Sequence, residues 1–300
     1  MAVPFEGTAT IVDRPPDQPI HIVDYETQEI KMPKTRSRLE TGENVIDIHT
    51  HILHGLDDGA ESFDTSVAMA SLALETGTTD IVATPHSNIS YGYEPGVIDS
   101  RIQDLQQAVG GGIKIHRGCD FHLSLQNIEA ALRDPQRYAI NGLGYLLVEF
   151  PDVSPLQGVD HIFETLRGAG LIPIVTHPER NPYLAADLER LSHWVKRGIY
   201  LQLTAQSITG ELFGPEIAHW CSTALKIGLV HFVASDAHDT LFRTPTLDRV
   251  KAYLEKHFGE DYAELLLETH PRAAIEGRSL ASGPVVPSNR QKKKWFQFGV

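Results

Sequence analysis

The chain of 300 residues has only two cysteines, Cys119 and Cys221, 102 positions apart. A disulfide framework is therefore not expected, and a reducing cytoplasm is the natural compartment. No run of about 18 apolar residues occurs, so no transmembrane helix is expected. The first residues, Met1-Ala-Val-Pro-Phe-Glu-Gly7, lack a basic region followed by an apolar stretch, so no secretory signal is expected either. Positive charge is scarce. Lys and Arg number 26 against 39 Asp and Glu, a formal net charge of −13. That balance is a poor match for nucleic acid, which demands clustered Lys and Arg. It suits an enzyme that holds several divalent cations. What the chain does have is 41% hydrophobic side chains, enough to bury a large core, and 15 histidines.

Residues 1–44 read as an N-terminal extension. Prolines at 4, 15, 16, 19 and 33 interrupt it, and its one short apolar run, Pro19-Ile-His-Ile-Val23, fits an edge hairpin or a partly disordered segment. From residue 45 short β-branched runs alternate with segments of helical period. The expected strands are 45–49, 80–84, 113–118, 144–149, 172–176, 199–203 and 229–234. The first two expected helices carry apolar faces at Phe63, Val67, Ala70 and Leu74, and at Ile98, Ile102, Leu105 and Val109. Further helices are expected at 124–133, 157–169, 185–197, 211–227 and 244–257. Gly77, Gly170, Gly198 and Gly228 stand between helix and next strand, where C-terminal caps belong. The alternation implies βαβ units on a parallel sheet, closed into a barrel over residues 45–277, with an open doubly wound sheet as the other option. The C-terminal tail, 278–300, ends in Lys292-Lys-Lys-Trp-Phe-Gln-Phe298 and reads as a solvated tail or as a basic-aromatic peptide for a membrane surface or partner.

The residues that carry chemistry fall at the C-terminal ends of these strands. In order they are His49 and His51 with Asp57 and Asp58 after them, His86, Asp120 with His122 beyond, Glu149, His177 with Glu179 and Arg180, and Asp236 with His238. The sixth strand offers only Gln202, Thr204 and Gln206. In a parallel α/β barrel all these ends open on one face. Residues i and i+2 of a strand share a side, so His49 and His51 can bind one ion together. A lone His-x-His is ambiguous, but six of seven strands ending in His, Asp or Glu is hard to explain as packing, because buried charges are costly unless paired or metal-bound. Imidazole and carboxylate without thiolate favour Mn, Fe, Zn or Co. About nine ligands suit two or three ions that share a bridging carboxylate.

Taken together, His49-x-His51, Leu56-Asp-Asp-Gly59, Ala83-Thr-Pro-His86, Val148-Glu-Phe150, Thr176-His-Pro-Glu-Arg180 and Ala234-Ser-Asp-Ala-His238 resemble the PHP (polymerase and histidinol phosphatase) superfamily. Within it, the Asp-Asp-Gly loop and the His-Pro-Glu-Arg stretch resemble the manganese-dependent bacterial protein-tyrosine phosphatases of the CpsB/CapC type, from capsular and exopolysaccharide operons. The resemblance spans residues 45–276. It implies a distorted (β/α)7 barrel and a site of two or three Mn2+ ions, with Fe, Zn, Co or Mg as other occupants. One ion would take His49, His51, Asp120 and Asp236, a second Asp120, Glu149 and His177, and a third Asp57, His86 and His238. Asp120 stands where the family usually has Glu, one methylene longer. Asp57 is favoured over Asp58 by its spacing from His49. The implied substrate is a phosphotyrosyl protein, the tyrosine-rich tail of a bacterial tyrosine kinase, and the implied chemistry is in-line attack by a hydroxide held between metals. Some relatives form rings, so a homo-oligomer is possible.

Arg180 and Arg243, just after strands five and seven, are candidates to hold the phosphate bidentately. His54 and His122 near the rim read as outer or surface histidines rather than proton donors. A cysteine-based tyrosine phosphatase needs Cys-x5-Arg, but Leu125 and Ile227 stand six residues after the two cysteines, so that class is excluded. The alternatives weighed are a phosphomonoesterase of the same superfamily acting on a small molecule such as histidinol phosphate, a metal amidohydrolase, and a scaffold that holds metals only to fold. Amidohydrolases commonly use eight strands and a modified lysine after strand four, where this chain has Glu149 and no eighth unit.

Overall fold

The computed structural model describes residues 44–151 and 158–280. The N-terminal extension through residue 43, with its candidate hairpin, and the tail from residue 281 lie outside the described residues. Nine strands are present among them: β1 (Val45–Thr50), β2 (Thr78–Ala83), β3 (His86–Ser87), β4 (Lys114–Arg117), β5 (Asp120–His122), β6 (Tyr145–Glu149), β7 (Ile172–Thr176), β8 (Tyr200–Thr204) and β9 (Phe232–Ala234). All pairings are parallel, in a ladder β1-β2-β4 and a second ladder β3-β5-β6-β7-β8-β9. The fold is α/β with parallel sheets, as the alternation requires.

Two of the seven expected strands, 80–84 and 113–118, are each followed by a further short strand, β3 and β5, that was not expected. Pro85 lacks the N–H that would continue β2 into β3, so the chain steps across and resumes at His86. Gly118 and Cys119 likewise separate β4 from β5, and a Cβ at Gly118 would stand 2.6 Å from Val82 Cγ1. The last expected strand begins later, at Phe232 rather than residue 229. The first and last strands meet at a short seam. Thr50 bridges Ala237, His51 N–H donates to Ala237 O at 2.8 Å, and Asp236 N–H donates to His49 O at 2.8 Å.

Helices α1 (Phe63–Glu75), α2 (Pro95–Val109), α3 (Leu125–Arg133), α4 (Val159–Gly168), α5 (Pro182–Ala185), α6 (Leu188–Lys196), α7 (Ala205–Thr209), α8 (Pro215–Lys226) and α9 (Asp248–Phe258) cross between strands or follow the last of them. Ser62 and Ser124 cap α1 and α3, each accepting from an N–H three residues on. The expected helix at 185–197 is two pieces, α5 and α6, with Asp187 capping the second. The buried face of α1 centres on Ser66, Met69, Ala70 and Ala73 rather than on Phe63, Val67 and Leu74, which are half-buried. Small alanines let this helix approach the sheet closely. After α9 the chain adds α10 (Glu260–Glu264), a π-helical turn (Leu265–Thr269) and α11 (His270–Ile275), which the periodicity did not single out. All four expected glycine caps have positive φ, between 74° and 96°.

The inward strand residues Ile46, Ile48, Tyr145, Leu147, Ile174, Tyr200 and Phe232 pack together, with Ala274 and Ile275 of α11. The opposite strand faces, among them Ile81, Leu146, Val148, Val175 and Leu201, pack against α1 to α6. One irregularity matters for the site. The β1–β2 register slips between Asp47 and Thr50. The slip changes parity, so that Ile46 and Ile48 face inward at one end of β1 and His49 at the other.

Candidate metal centre

Each donor reaches the cluster from a strand end or the turn after it. His49 and His51 come from β1, His86 from β3, Asp120 from β5, Glu149 from β6, His177 from the turn after β7, and Asp236 and His238 from the turn after β9. His177 and Asp236 have φ of 33° and 53°, a left-handed conformation that costs non-glycine residues about 1–3 kcal/mol. The strain turns each chain end sharply, carrying its side chain inward.

The distances describe one connected set. His49 Nε2 lies 3.6 Å from Asp120 Oδ2 and 3.5 Å from Asp236 Oδ1. His51 Nε2 lies 3.4 Å from the same Asp236 oxygen and 3.3 Å from His49 Nε2. His86 Nδ1 stands 3.2 Å from Asp120 Oδ2 and 3.5 Å from Glu149 Oε2, and His177 Nε2 stands 3.9 Å from Glu149 Oε1. Four groups of three or four donors each have ligand atoms mutually within 4.8 Å: His51, Asp58, His86 and His238; His49, His51 and Asp236; His49, Asp120 and His177; His86, Asp120 and Glu149. The shorter Asp120 side chain thus still reaches the middle of the set.

The carboxylate beside His86 and His238 is Asp58, at 3.4 and 3.6 Å, and not Asp57 as the spacing suggested. The carboxylate of Asp57 is already engaged. It takes His51 Nδ1–H at 2.7 Å, His86 N–H at 3.0 Å and Gly59 N–H at 3.0 Å. The loop folds back tightly enough to do this because residue 59 is glycine. A Cβ there would lie 2.1 Å from His51 O.

Two further acceptors do for other rings what Asp57 does for His51. Gln202, on the strand without a ligand, accepts from His49 Nδ1 at 3.0 Å, and the Asp236 carbonyl accepts from His238 Nδ1 at 3.0 Å. Amide, carboxylate and carbonyl oxygens only accept, so Nδ1 carries a proton in all three rings and Nε2 is the nitrogen each turns toward the cluster. Gln202 was visible in the sequence only as a polar residue at a strand end otherwise empty of ligands. Glu179 is also buried, and it clips its turn to β8 by accepting Thr204 N–H at 3.0 Å.

These nitrogens converge on carboxylate oxygens, contacts that need a proton or a metal cation between nitrogen and oxygen. Asp120 Oδ2, His86 Nδ1 and His238 Nε2 are buried with no hydrogen-bond partner among the described residues. Such atoms call for a bound cation or a proton. The charge balance agrees. Burial pulls the His51 and His86 rings down, but it is outweighed: Asp57 and Asp236 hold His51 up at about 9, and Asp120, Asp58 and Glu149 hold His86 up at about 11. Burial opposes the Asp120 and Asp236 charges too, yet His49 and His86 around the first, and Arg180 and His49 around the second, hold both well below the usual carboxylate range. Burial and Asp120 push Glu149 up. Burial, then His51, pushes His238 down to about 3. The cluster is thus built to hold positive charge, and divalent ions fit its donors.

The set opens on a cleft of about 260 Å³ lined by Asp58, His86, Glu149, His177, Arg180 and Arg243, among others. Arg180 and Arg243 both bond Asp236 Oδ2, the second at 2.6 Å, and Arg180 lies over the Phe213 ring, 4.9 Å from its centre. His122 contacts Glu149 at 3.4 Å, while His54 bonds Arg101 outside the cleft lining.

With this geometry in hand, the chain can be set beside known proteins. Residues 45–276 match the family described as capsular polysaccharide synthesis, CpsB/CapC. The tyrosine-protein phosphatase YwqE of Bacillus subtilis is 31% identical over 252 residues, covering 83% of this chain and 98% of YwqE. The putative tyrosine-protein phosphatase CapC of Staphylococcus aureus is 29% identical, covering 84% and 99%. A chain from the crystal structures of YwqE and of CpsB from Streptococcus pneumoniae, described as unique metal-dependent tyrosine phosphatases, superimposes with a TM-score of 0.75 at 30% identity, over 82% of this chain and all of that one. By motif, matched length and identity alike, this chain belongs to the CpsB/CapC family of capsular polysaccharide synthesis.

Proposed function

We propose that this protein is a metal-dependent protein-tyrosine phosphatase, a phosphoric monoester hydrolase of capsule or exopolysaccharide synthesis. Its proposed substrate is a phosphotyrosyl protein, the tyrosine-rich tail of a bacterial tyrosine kinase, met in the cytoplasm. The observation that carries the reading is the convergence of imidazole and carboxylate donors, several of their atoms buried without a hydrogen-bond partner among the described residues, at the floor of a cleft bordered by two arginines. Its relatives' tyrosine phosphatase activity supports it. The ladders joined at the β1–β9 seam then act as one distorted (β/α)7 barrel.

The residues that would hold metal are His49, His51, Asp120 and Asp236 for one ion, Asp120, Glu149 and His177 for a second, and Asp58 with His86 and His238 for a third. Without thiolate in the set, and with carboxylates beside imidazoles, Mn2+, Fe, Zn2+ or Co2+ is favoured over a soft ion. When bound, such ions supply a hydroxide nucleophile near neutral pH and neutralise phosphoryl charge. The chain does the rest. Gln202, Asp57 and the Asp236 carbonyl fix the ring orientations. Arg180 and Arg243 face the cleft with donors to spare beyond Asp236, and their forked geometry suits two phosphoryl oxygens. A tyrosine leaving group, with a pKa near 10, needs little help from an acid.

The test is metal analysis joined to hydrolysis of a phosphotyrosyl peptide and of histidinol phosphate, with and without chelator. The metal-loaded enzyme should prefer the peptide, and stripping should abolish turnover. His51→Ala should lose turnover while the circular dichroism of the fold persists. Full activity after complete metal removal would end the proposal.

A further inference from the structure

The cleft rim carries an apolar element that the chemistry on its floor does not use. Between His238 and Arg243, both lining the cleft, runs Asp239-Thr-Leu-Phe242. Its backbone is closed on itself. His238 N–H and Asp239 N–H donate to Arg243 O at 2.9 and 3.2 Å. The Asp239 carboxylate accepts from Leu241 and Phe242 N–H, each at 2.6 Å, and from Arg243 N–H at 3.3 Å. Gln206 of α7 donates to Phe242 O at 2.7 Å. A loop pinned this way cannot withdraw its side chains, and Leu241 and Phe242 stand 80% and 72% exposed. None of the pinning bonds involves either side chain, so a polar pair would make the same turn. Keeping two large apolar groups in water forgoes the gain of burying them, and an adjacent, rigidly held apolar pair is suited to a contact surface.

The position of the pair selects its partner. The loop is strung between two residues that line the cleft, so whatever enters the cleft lies beside it, and a second copy seated there would block entry. The cleft floor is charged and recognises the phosphate, leaving sequence preference to the rim. Ile89 after β3, Leu125 at the start of α3, Tyr183 in α5 and Leu212 after α7 are also exposed at this strand edge. A chain of net charge −13 gives acidic flanks no welcome. We propose that Leu241 and Phe242 are a docking element for the polypeptide that carries the phosphotyrosine, taking an apolar side chain within a few residues of it. This rests on the phosphatase reading above and names what that enzyme prefers around its target.

The experiment uses the full metal-loaded chain, the double variant Leu241→Ser/Phe242→Ser, and three substrates. These are p-nitrophenyl phosphate and two phosphotyrosyl peptides identical except for Leu and Phe, or Ser and Gly, beside the phosphotyrosine. The unaltered enzyme should favour the apolar peptide through KM by about tenfold, the worth of one buried apolar anchor. The variant should lose that preference by a rise in KM, with kcat, metal content and p-nitrophenyl phosphate kinetics unchanged. Equal KM for both peptides in the unaltered enzyme, or a preference that survives in the variant, overturns the docking role. So does a variant that changes only its sedimentation, which would mark a contact between copies. No turnover of any substrate would sink the phosphatase reading and this inference with it, whereas turnover without peptide preference sinks the inference alone.

Discussion

The two edges of the parallel strands hold similar residues in opposite conditions. At the N-terminal edge, Asp80 on β2 takes the Thr79 hydroxyl at 2.8 Å and His116 Nε2 at 3.0 Å, with Arg272 of α11 at 3.5 Å. His116 Nδ1 is met in turn by the Asn141 amide at 3.1 Å. A cavity of about 420 Å³ adjoins this group, larger than the cleft at the other edge. Yet Asp80 and His116 are each answered by a side chain of this chain. At the C-terminal edge His49, His51, Asp120 and Asp236 are more deeply buried, and Asp120 Oδ2, His86 Nδ1 and His238 Nε2 have no hydrogen-bond partner among the described residues. Cavity size therefore does not mark the functional edge. The convergence of ring nitrogens and carboxylate oxygens does, since burying so many together is costly unless something is bound among them.

The sharpest way to break this contrast lies within two adjacent residues. Asp58→Asn should lose one equivalent of bound metal and at least about 100-fold in turnover, since it removes a donor that faces His86 and His238. Asp57→Asn keeps the donor count, removes the negative charge behind His51 and leaves one amide oxygen in place of the two that accept from His51, His86 and Gly59. It should weaken metal affinity by about 10–100-fold at full stoichiometry, and Gln202→Ala should behave alike. Metal counting by emission spectroscopy and competition with a chelator separate the two outcomes. If Asp57→Asn loses the ion and Asp58→Asn keeps it, the assignment is reversed.

A smaller effect is expected at the other edge. Asp80→Ala leaves the His116 ring and part of Arg272 unanswered, which should cost about 1–3 kcal/mol of stability. Metal content and turnover should stay as they were. Urea unfolding alongside the peptide assay measures both, and a loss of bound metal on this substitution would show that the edges are not separate.

Why Asp58 had to be seen rather than read is instructive. Asp57 and Asp58 are neighbours in a loop, and sequence spacing carries no information about which one the fold-back at Gly59 turns toward His51. The donors on strand ends were legible because a parallel α/β pattern already places them on one face. Pro85 announced the break between β2 and β3, although the expected strand ran up to it. The parity change in β1 had no such marker, since it arises from pairing with β2 and not from the residues of β1 alone. Gln202 was legible as polar but not as a partner, because its role exists only through His49, 153 positions away. The segment after α9 was missed because Leu265-Leu-Leu267 reads equally well as strand or buried helix, and the turn it adopts is π-helical.

The smallest expected effect concerns protons, and it too separates the edges. His270 on α11 is buried, and its Nδ1 lies 2.8 Å from the His231 carbonyl. Burial pushes its pKa below the usual 6.5, although that hydrogen bond pulls the other way. The folded state thus holds this ring neutral where the unfolded chain would protonate it. Its contribution to stability is complete above about pH 6.5 and is lost as pH falls, until the depressed folded pKa is reached and both states carry the proton. Within that window the loss is at most about 1.4 kcal/mol per pH unit, the limit for one proton. In His270→Gln the stability curve between pH 7.5 and pH 5 should be flatter than in the unaltered protein, by urea unfolding at each pH. The pH profile of turnover should not move, because the ring lies at the edge away from the metal donors. Parallel stability curves would mean that His270 titrates alike folded and unfolded, while a shifted turnover profile would mean that charge at one edge is felt at the other.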